Sequence, residues 1–293
     1  MALLDAPARA VDASLLHRLD TRPMAKSLRD AIAYALLGPG KRLRPALVYH
    51  SAAACGADPG IAVPAMEAIE LVHCFSLVHD DLPAMDDDEL RRGRATLHVH
   101  AGEAMAILAG DAMLSMAFEA ISDAGNAAPL LLRELAPAVT DMVSGQVLDT
   151  LGGGENTNAP LGQLEAIHRG KTGALIRAAC RMGVICAARP GLYIPTRDET
   201  AMPAITAYAD ALGLMFQIVD DLLDVEQSTA QLGKTAGKDA AAGKLTYPGV
   251  IGVEASRVEV VRQLDACLKA LAPLGAHATP LADLARMMAT RTK

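Results

Sequence analysis

The sequence predicts an all-α protein, and three observations carry that expectation. Ala, Leu and Met dominate an apolar fraction of 52%, with 3% aromatics and no Trp; these helix formers with little β-branching suit a helix-on-helix core. Long apolar stretches repeat at helical spacing between Gly/Pro punctuation. No stretch of useful length alternates as a strand does.

Residues 24–37 (MAKSLRDAIAYALL) have helical periodicity and stop at Gly38-Pro39-Gly40. Lys41-Arg42-Leu43-Arg44-Pro45 follows, and then an apolar helix over 45–55. A third helix covers 61–81 and runs into acids. Arg94 to His98 reads as a connection. Residues 101–123 are strongly apolar around one acid, Asp111, and a further helix covers 127–150. Gly152 to Pro160 is the clearest loop. Helices are expected at 161–188 and 198–224, then a Gly-punctuated polar loop at 233–239, then helices from 244 onward. With no repeat, low-complexity tract or linker, the reading is one domain, 1–293.

A net charge of −7 and the lack of a long basic patch argue against nucleic acid as a partner. Five cysteines, odd in number and without a C-x-x-C pair, read as buried reduced thiols in a cytoplasmic protein. The first twenty residues carry acids and no unbroken apolar run, so neither a signal nor a transit peptide is expected. No run reaches ~18 uncharged apolar residues, so no membrane span is expected.

Chemistry concentrates in two acidic clusters. The first, HDDLPAMDDDELRRGR (79–94), sets Asp80, Asp81, Asp86, Asp87, Asp88 and Glu89 against Arg91, Arg92 and Arg94, directly after an apolar helix. The second, FQIVDDLLD (216–224), closes another apolar helix. Asp220 and Asp224 share one helix face with Gln217. Asp80 and Asp86 are six apart and would diverge by about a third of a turn on a regular helix. Pro83 breaks that helix, and the extra residues can bulge to return Asp86 to Asp80. Carboxylates beside a core are costly unless paired or metal-bound, which suggests hard cations. Basic segments supply anion contacts: Lys41, Arg42 and Arg44 after the Gly-Pro-Gly turn, Arg91 and Arg92, Lys171-Thr172-Gly173, and Lys234. Together they describe a site holding diphosphates, with apolar helices to enclose a hydrocarbon.

These residues resemble the trans-polyprenyl diphosphate synthase family, most closely its bacterial farnesyl branch. The resemblance spans nearly the whole chain. It rests on GPGKRLRP (38–45), HCFSLVHDDLPAMDDDELRRG (73–93), HVHAGEAMAILAGDAM (98–113), GQVLD (145–149), IHRGKTGALIRAA (167–179), FQIVDDLLD (216–224), LGKTAGKD (232–239) and KLTYP (244–248). It implies an all-α, isoprenoid-synthase-type helical bundle around a deep central cavity, as a homodimer. Asp80, Asp86 and Asp220 would bind several Mg²⁺ ions, three in the family pattern, with Mn²⁺ as a substitute. Asp81, Asp221 and Asp224 would complete that metal set. Arg91, Lys171 and Lys234 would hold the allylic diphosphate, and Lys41, Arg44, His73 and Arg92 the isopentenyl diphosphate. Thr172 and Gln217 would stabilise the developing carbocation. Arg291 and Lys293 match a basic tail that closes over the site. No side-chain base is required, since released diphosphate can take the proton; His98, His100 and His168 read as structural.

Phe75 lies five residues before Asp80, one turn above it, where a ring would stop the growing chain. With the four-residue gap between Asp81 and Asp86 this implies a C15 product, with geranyl and geranylgeranyl products open. A class I terpene cyclase would need one diphosphate site and an Asn/Ser/Glu-type second motif. A non-catalytic partner subunit would carry a degraded motif. A two-metal phosphohydrolase would not need the apolar cavity.

Overall fold

Apolar residues at helical spacing build thirteen α-helices in the computed structural model, which describes residues 2–152, 160–188, 195–226 and 245–291. The first differs from the sequence reading, which assigned no helix before residue 24. α1 (Ala2–Thr21) forms because Val11, Leu15 and Leu19 recur along one buried face. α2 (Lys26–Leu36) ends before Gly38. α3 (Leu43–Ala54) is followed by a 3₁₀ turn (Pro59–Ala62) and α4 (Val63–Asp80). α5 (Leu97–Ala101) and α6 (Glu103–Ser122) precede α7 (Ala128–Leu151).

The helix expected over 161–188 is not regular. α8 (Pro160–His168) and α9 (Ala174–Ala187) are joined by a five-residue π-helical turn, Arg169–Gly173. α10 (Pro195–Glu226), α11 (Tyr247–Ile251), α12 (Val253–Leu271) and α13 (Thr279–Ala289) complete the chain. α4 packs along α6, α3 along α9 and α10 along α12, around a core that runs from Val11 to Met288. Gly183 lets α9 close on α3, since a Cβ there would lie 2.7 Å from Ser51 Cβ.

Two further differences bear on the site. The first acidic cluster runs into a small hairpin, β1 (Leu90–Arg91) and β2 (Arg94–Ala95), whose second strand opens the segment read as a connection, with Leu90 opposite Ala95 and Arg91 opposite Arg94. Arg92 and Gly93 turn it with φ of 53° and 74°, the signs a type I′ turn requires. Strands of two residues are too short to alternate visibly. α2 anchors the hairpin: Tyr34 donates its hydroxyl to Ala95 O at 2.9 Å and carries the Arg94 guanidinium 4.1 Å above its ring.

Secondly, Pro59–Asp80, Glu103–Ser122 and Glu199–Val225 are long and apolar enough to cross a membrane by length and composition, against the sequence expectation. The count of uncharged runs missed them because a few charges interrupt each. In α4 those charges are paired inside the fold, Glu67 with Arg18 and Glu70 with Arg42.

Candidate active site

Helix α4 cannot pass Pro83, and the chain coils back on itself. Asp86 N donates to Asp80 O at 2.9 Å, and Met85 N to Leu82 O at 2.9 Å. The bulge returns Asp86 to Asp80, as the spacing predicted. Burial, opposed by Lys171 but reinforced by Asp86, pushes the Asp80 carboxyl up to about 6. Asp80 lines a cavity of ≈ 1250 Å³.

Asp81 corrects the sequence reading. Consecutive helical residues face directions about 100° apart, and Asp81 turns from the cavity to the hairpin. It accepts both Nε and Nη2 of Arg91 at 2.6–3.0 Å while almost fully buried. It holds Arg91 at the cavity wall rather than joining Asp80 and Asp86.

The second motif divides in the same way. Phe216, Gln217 and Asp220 line the cavity from α10. Asp221 is buried on the far side, accepts Tyr247 N at 2.8 Å and lies 3.9 Å from His168 Nε2. Its place in the metal set is therefore not supported: it ties α10 to α11. Asp224 is also buried and does not line the cavity. Among the described residues no three His, Cys, Asp or Glu side chains converge on one point. Mg²⁺ needs no such cage, since it keeps waters and binds through one or two carboxylates plus substrate phosphates. Asp80 on one wall, with Asp86 folded back beside it, and Asp220 on the other fit that pattern.

The basic wall separates three neighbours by role. Lys41 and Arg44 line the cavity; Arg44 Nε is buried without a hydrogen-bond partner, and burial lowers its guanidinium to about 10. Arg42 behaves differently. In the left-handed region (φ 49°), it turns inward to Asp12 Oδ1 at 2.7 Å, Glu70 Oε1 at 3.2 Å, Leu36 O at 2.8 Å and Gly38 O at 3.3 Å. It too borders the cavity, but these scaffold contacts engage its guanidinium. Arg92 reaches back from the hairpin turn to donate to Pro39 O at 2.6 Å. Gly40 leaves room for this crowding, as a Cβ there would lie 2.7 Å from Arg42 Nη1. His73 lines the same cavity; burial first, then four surrounding arginines, hold it well below its ordinary value and so neutral.

Across from this wall the π turn presents Lys171 and Thr172 to the cavity. Lys171 Nζ donates to Asp149 Oδ2 at 2.6 Å. Asp149 was missed in the sequence; its signal is the last position of GQVLD, one turn beyond Gly145 on one face of α7. At the apolar end stand Phe75, Ser76, His79, Ile107 and Met142, with the Phe75 ring edge-on to His79 at 5.8 Å. Arg291 closes the other end. Its guanidinium lies 3.9 Å above the Phe216 ring and donates to Phe216 O at 2.8 Å and Asp220 Oδ1 at 2.6 Å. Lys234 and Lys293 lie outside the described residues.

Residues 25–273 match the family model described as Polyprenyl synthetase. The chain is 44% identical over 275 residues to farnesyl diphosphate synthase of Escherichia coli K12, covering 90% of this chain and 89% of that protein. It is equally identical over 276 residues to the chloroplastic geranylgeranyl pyrophosphate synthase 11 of Arabidopsis thaliana, covering 90% and 75%. A solved geranyltransferase from Legionella pneumophila superposes with a TM-score of 0.84 at 30% identity, covering 99% and 97% of the two chains.

Proposed function

From the membership of this chain in the polyprenyl synthetase family, we propose that this prenyltransferase condenses isopentenyl diphosphate head-to-tail with dimethylallyl or geranyl diphosphate to give farnesyl diphosphate. One observation carries the reading. A single cavity meets carboxylates from both acidic motifs, cationic side chains on two walls, and an apolar end under Phe75.

The assignment follows from charge and shape. Asp80, Asp86 and Asp220 would hold Mg²⁺, which would supply positive charge to the allylic diphosphate leaving group. Lys171 and Arg91 face the same leaving group and stabilise its growing charge. Lys41, Arg44 and Arg92 hold the second diphosphate, and neutral His73 offers a hydrogen bond beside them. Thr172 and Gln217 line the same cavity, where their side-chain oxygens would stabilise the electron-poor allylic carbon. The apolar walls exclude the water that would quench it. Lys234 would join Lys171 and Arg91 on the allylic diphosphate, and Arg291 with Lys293 would form a basic tail that closes over the site. Phe75 stops the chain at C15; relatives named for geranylgeranyl diphosphate make C20 the competing product.

The whole chain acts as one domain, and its partner is a second copy. Exposed apolar side chains of α6 and α7, among them Leu108, Phe118, Leu130 and Leu132, support a homodimer, which light scattering tests. Paired charges within the apolar helices support a protein without a membrane span, and five free buried cysteines support the cytoplasm.

The test is product length. Purified protein with Mg²⁺, isopentenyl diphosphate and either allylic substrate should yield mainly the C15 alcohol after dephosphorylation, and a chelator should abolish it. Phe75→Ala should lengthen the product. A main C10 or C20 product from the unaltered enzyme would move the floor elsewhere, and no elongation would return the cyclase and the non-catalytic subunit.

A further inference from the structure

The π turn between α8 and α9 is gripped by backbone on both sides. Facing it on α7 is Gly145, where a side chain could not fit. A Cβ there would overlap the Lys171 backbone nitrogen and lie 2.7 Å from the Gly170 carbonyl carbon and 2.9 Å from Gly170 Cα. From the other side, a Cβ on Gly213 of α10 would lie 3.0 Å from Gly173 Cα. The turn therefore rests in a slot whose walls are glycine backbone. Such wide turns are rare and persist where surrounding structure holds them, often at functional sites.

The slot has a chemical partner on the same helix face. Asp149, one turn beyond Gly145, receives the Lys171 ammonium at 2.6 Å. α7 thus fixes the Lys171 backbone through Gly145 and its side chain through Asp149. We infer that Gly145 is a positioning residue for the reaction: its missing side chain sets how far Lys171 and Thr172 project into the cavity. The inference rests on the reading above that these two residues face the allylic diphosphate. A methyl group at 145 must push the turn away from α7. The cost falls on ionisation, because the turn carries no residue of the isopentenyl diphosphate pocket.

Three variants test this by steady-state kinetics with geranyl and isopentenyl diphosphates. Gly145→Ala should lower kcat about 100-fold, the scale expected when a catalytic group is misplaced by about 1 Å. Gly170→Ala, whose Cβ would meet Asp141 O and Gly145 Cα at 3.0 Å, is the milder probe from the other side of the contact. It should fold if Gly145→Ala does not, and should lower kcat by a smaller factor. In both, KM for isopentenyl diphosphate should stay within about twofold, since Lys41, Arg44, His73 and Arg92 sit on other elements. Lys171→Gln is the reference. If Lys171→Gln loses turnover while the glycine variants keep it, the positioning role is overturned. A rise in KM for isopentenyl diphosphate matching the fall in kcat would overturn it too, as a general disturbance of the fold. If Lys171→Gln itself keeps full turnover, the assignment of the turn fails instead.

Discussion

Replacing Arg42 should cost stability, whereas replacing Lys41 beside it should cost substrate binding. Arg42 is almost fully buried and gives its guanidinium to Asp12, Glu70, Leu36 O and Gly38 O. Arg42→Ala strands Glu70, which is 4% exposed. Removing one partner of a buried ion pair costs about 3–5 kcal/mol. Two features place this case at the low end: Arg44 and Arg92 still bear on the Glu70 carboxylate, and Asp12 is 43% exposed and can be solvated. A loss of ~3 kcal/mol in a chain of this size lowers Tm by roughly 5 °C. Thermal unfolding followed by circular dichroism measures it, alongside KM for isopentenyl diphosphate. Lys41→Ala should leave Tm within about 2 °C, as surface changes do, and raise KM. An Arg42→Ala protein with unchanged Tm and a raised KM would refute the reasoning and put that guanidinium on the substrate.

Other outcomes follow from the same packing. Cys74, Cys186 and Cys267 are pushed up to about 12 by burial, and all five thiols are buried. Iodoacetamide at pH 8 should therefore label the native protein slowly and the unfolded chain five times. Burial holds His168 at about 4 against an unfolded 6.5, so the unfolded chain takes up that proton first and stability falls as pH drops from 6.5 toward 4. Asp80, raised to about 6, works the other way below that pH. His168→Asn should accordingly flatten the acid limb of Tm against pH, and an unchanged limb would assign the loss elsewhere. Gly110→Ala should cost about 1–3 kcal/mol in denaturant unfolding, since a Cβ there would lie within 3 Å of the His79 ring.

How much of this was legible depends on what each residue type reveals. Helical spacing showed the all-α class, and Pro83 with the six-residue offset showed the bulge that returns Asp86 to Asp80. The paired aspartates misled, although the remedy was in the helix period. Neighbouring helical residues cannot share a face, so in Asp80-Asp81 and Asp220-Asp221 the first faces the cavity and the second braces the scaffold, against Arg91 and against Tyr247 N. Arg42 could not be told from Lys41 and Arg44 by composition; only the left-handed turn at its backbone sends it inward. The π turn left no mark in periodicity because one inserted residue is absorbed within five. Glycines at 145, 170, 173 and 213 were its trace, and they reveal it only once three separate segments are seen to meet.

The pairing of Arg291 with Asp220 makes the tail a tethered counter-ion of the second acidic motif. In the proposed assignment a divalent cation claims that carboxylate, so cation and arginine compete for it. Thermodynamic reciprocity then binds the two events: whatever factor the docked tail takes from cation affinity, cation binding takes from tail docking. A guanidinium displaced in this way, with its Nε lacking a hydrogen-bond partner, would be available to an anion in the cavity. Arg291 would then exchange one partner for another, and its position would register which state the cavity is in.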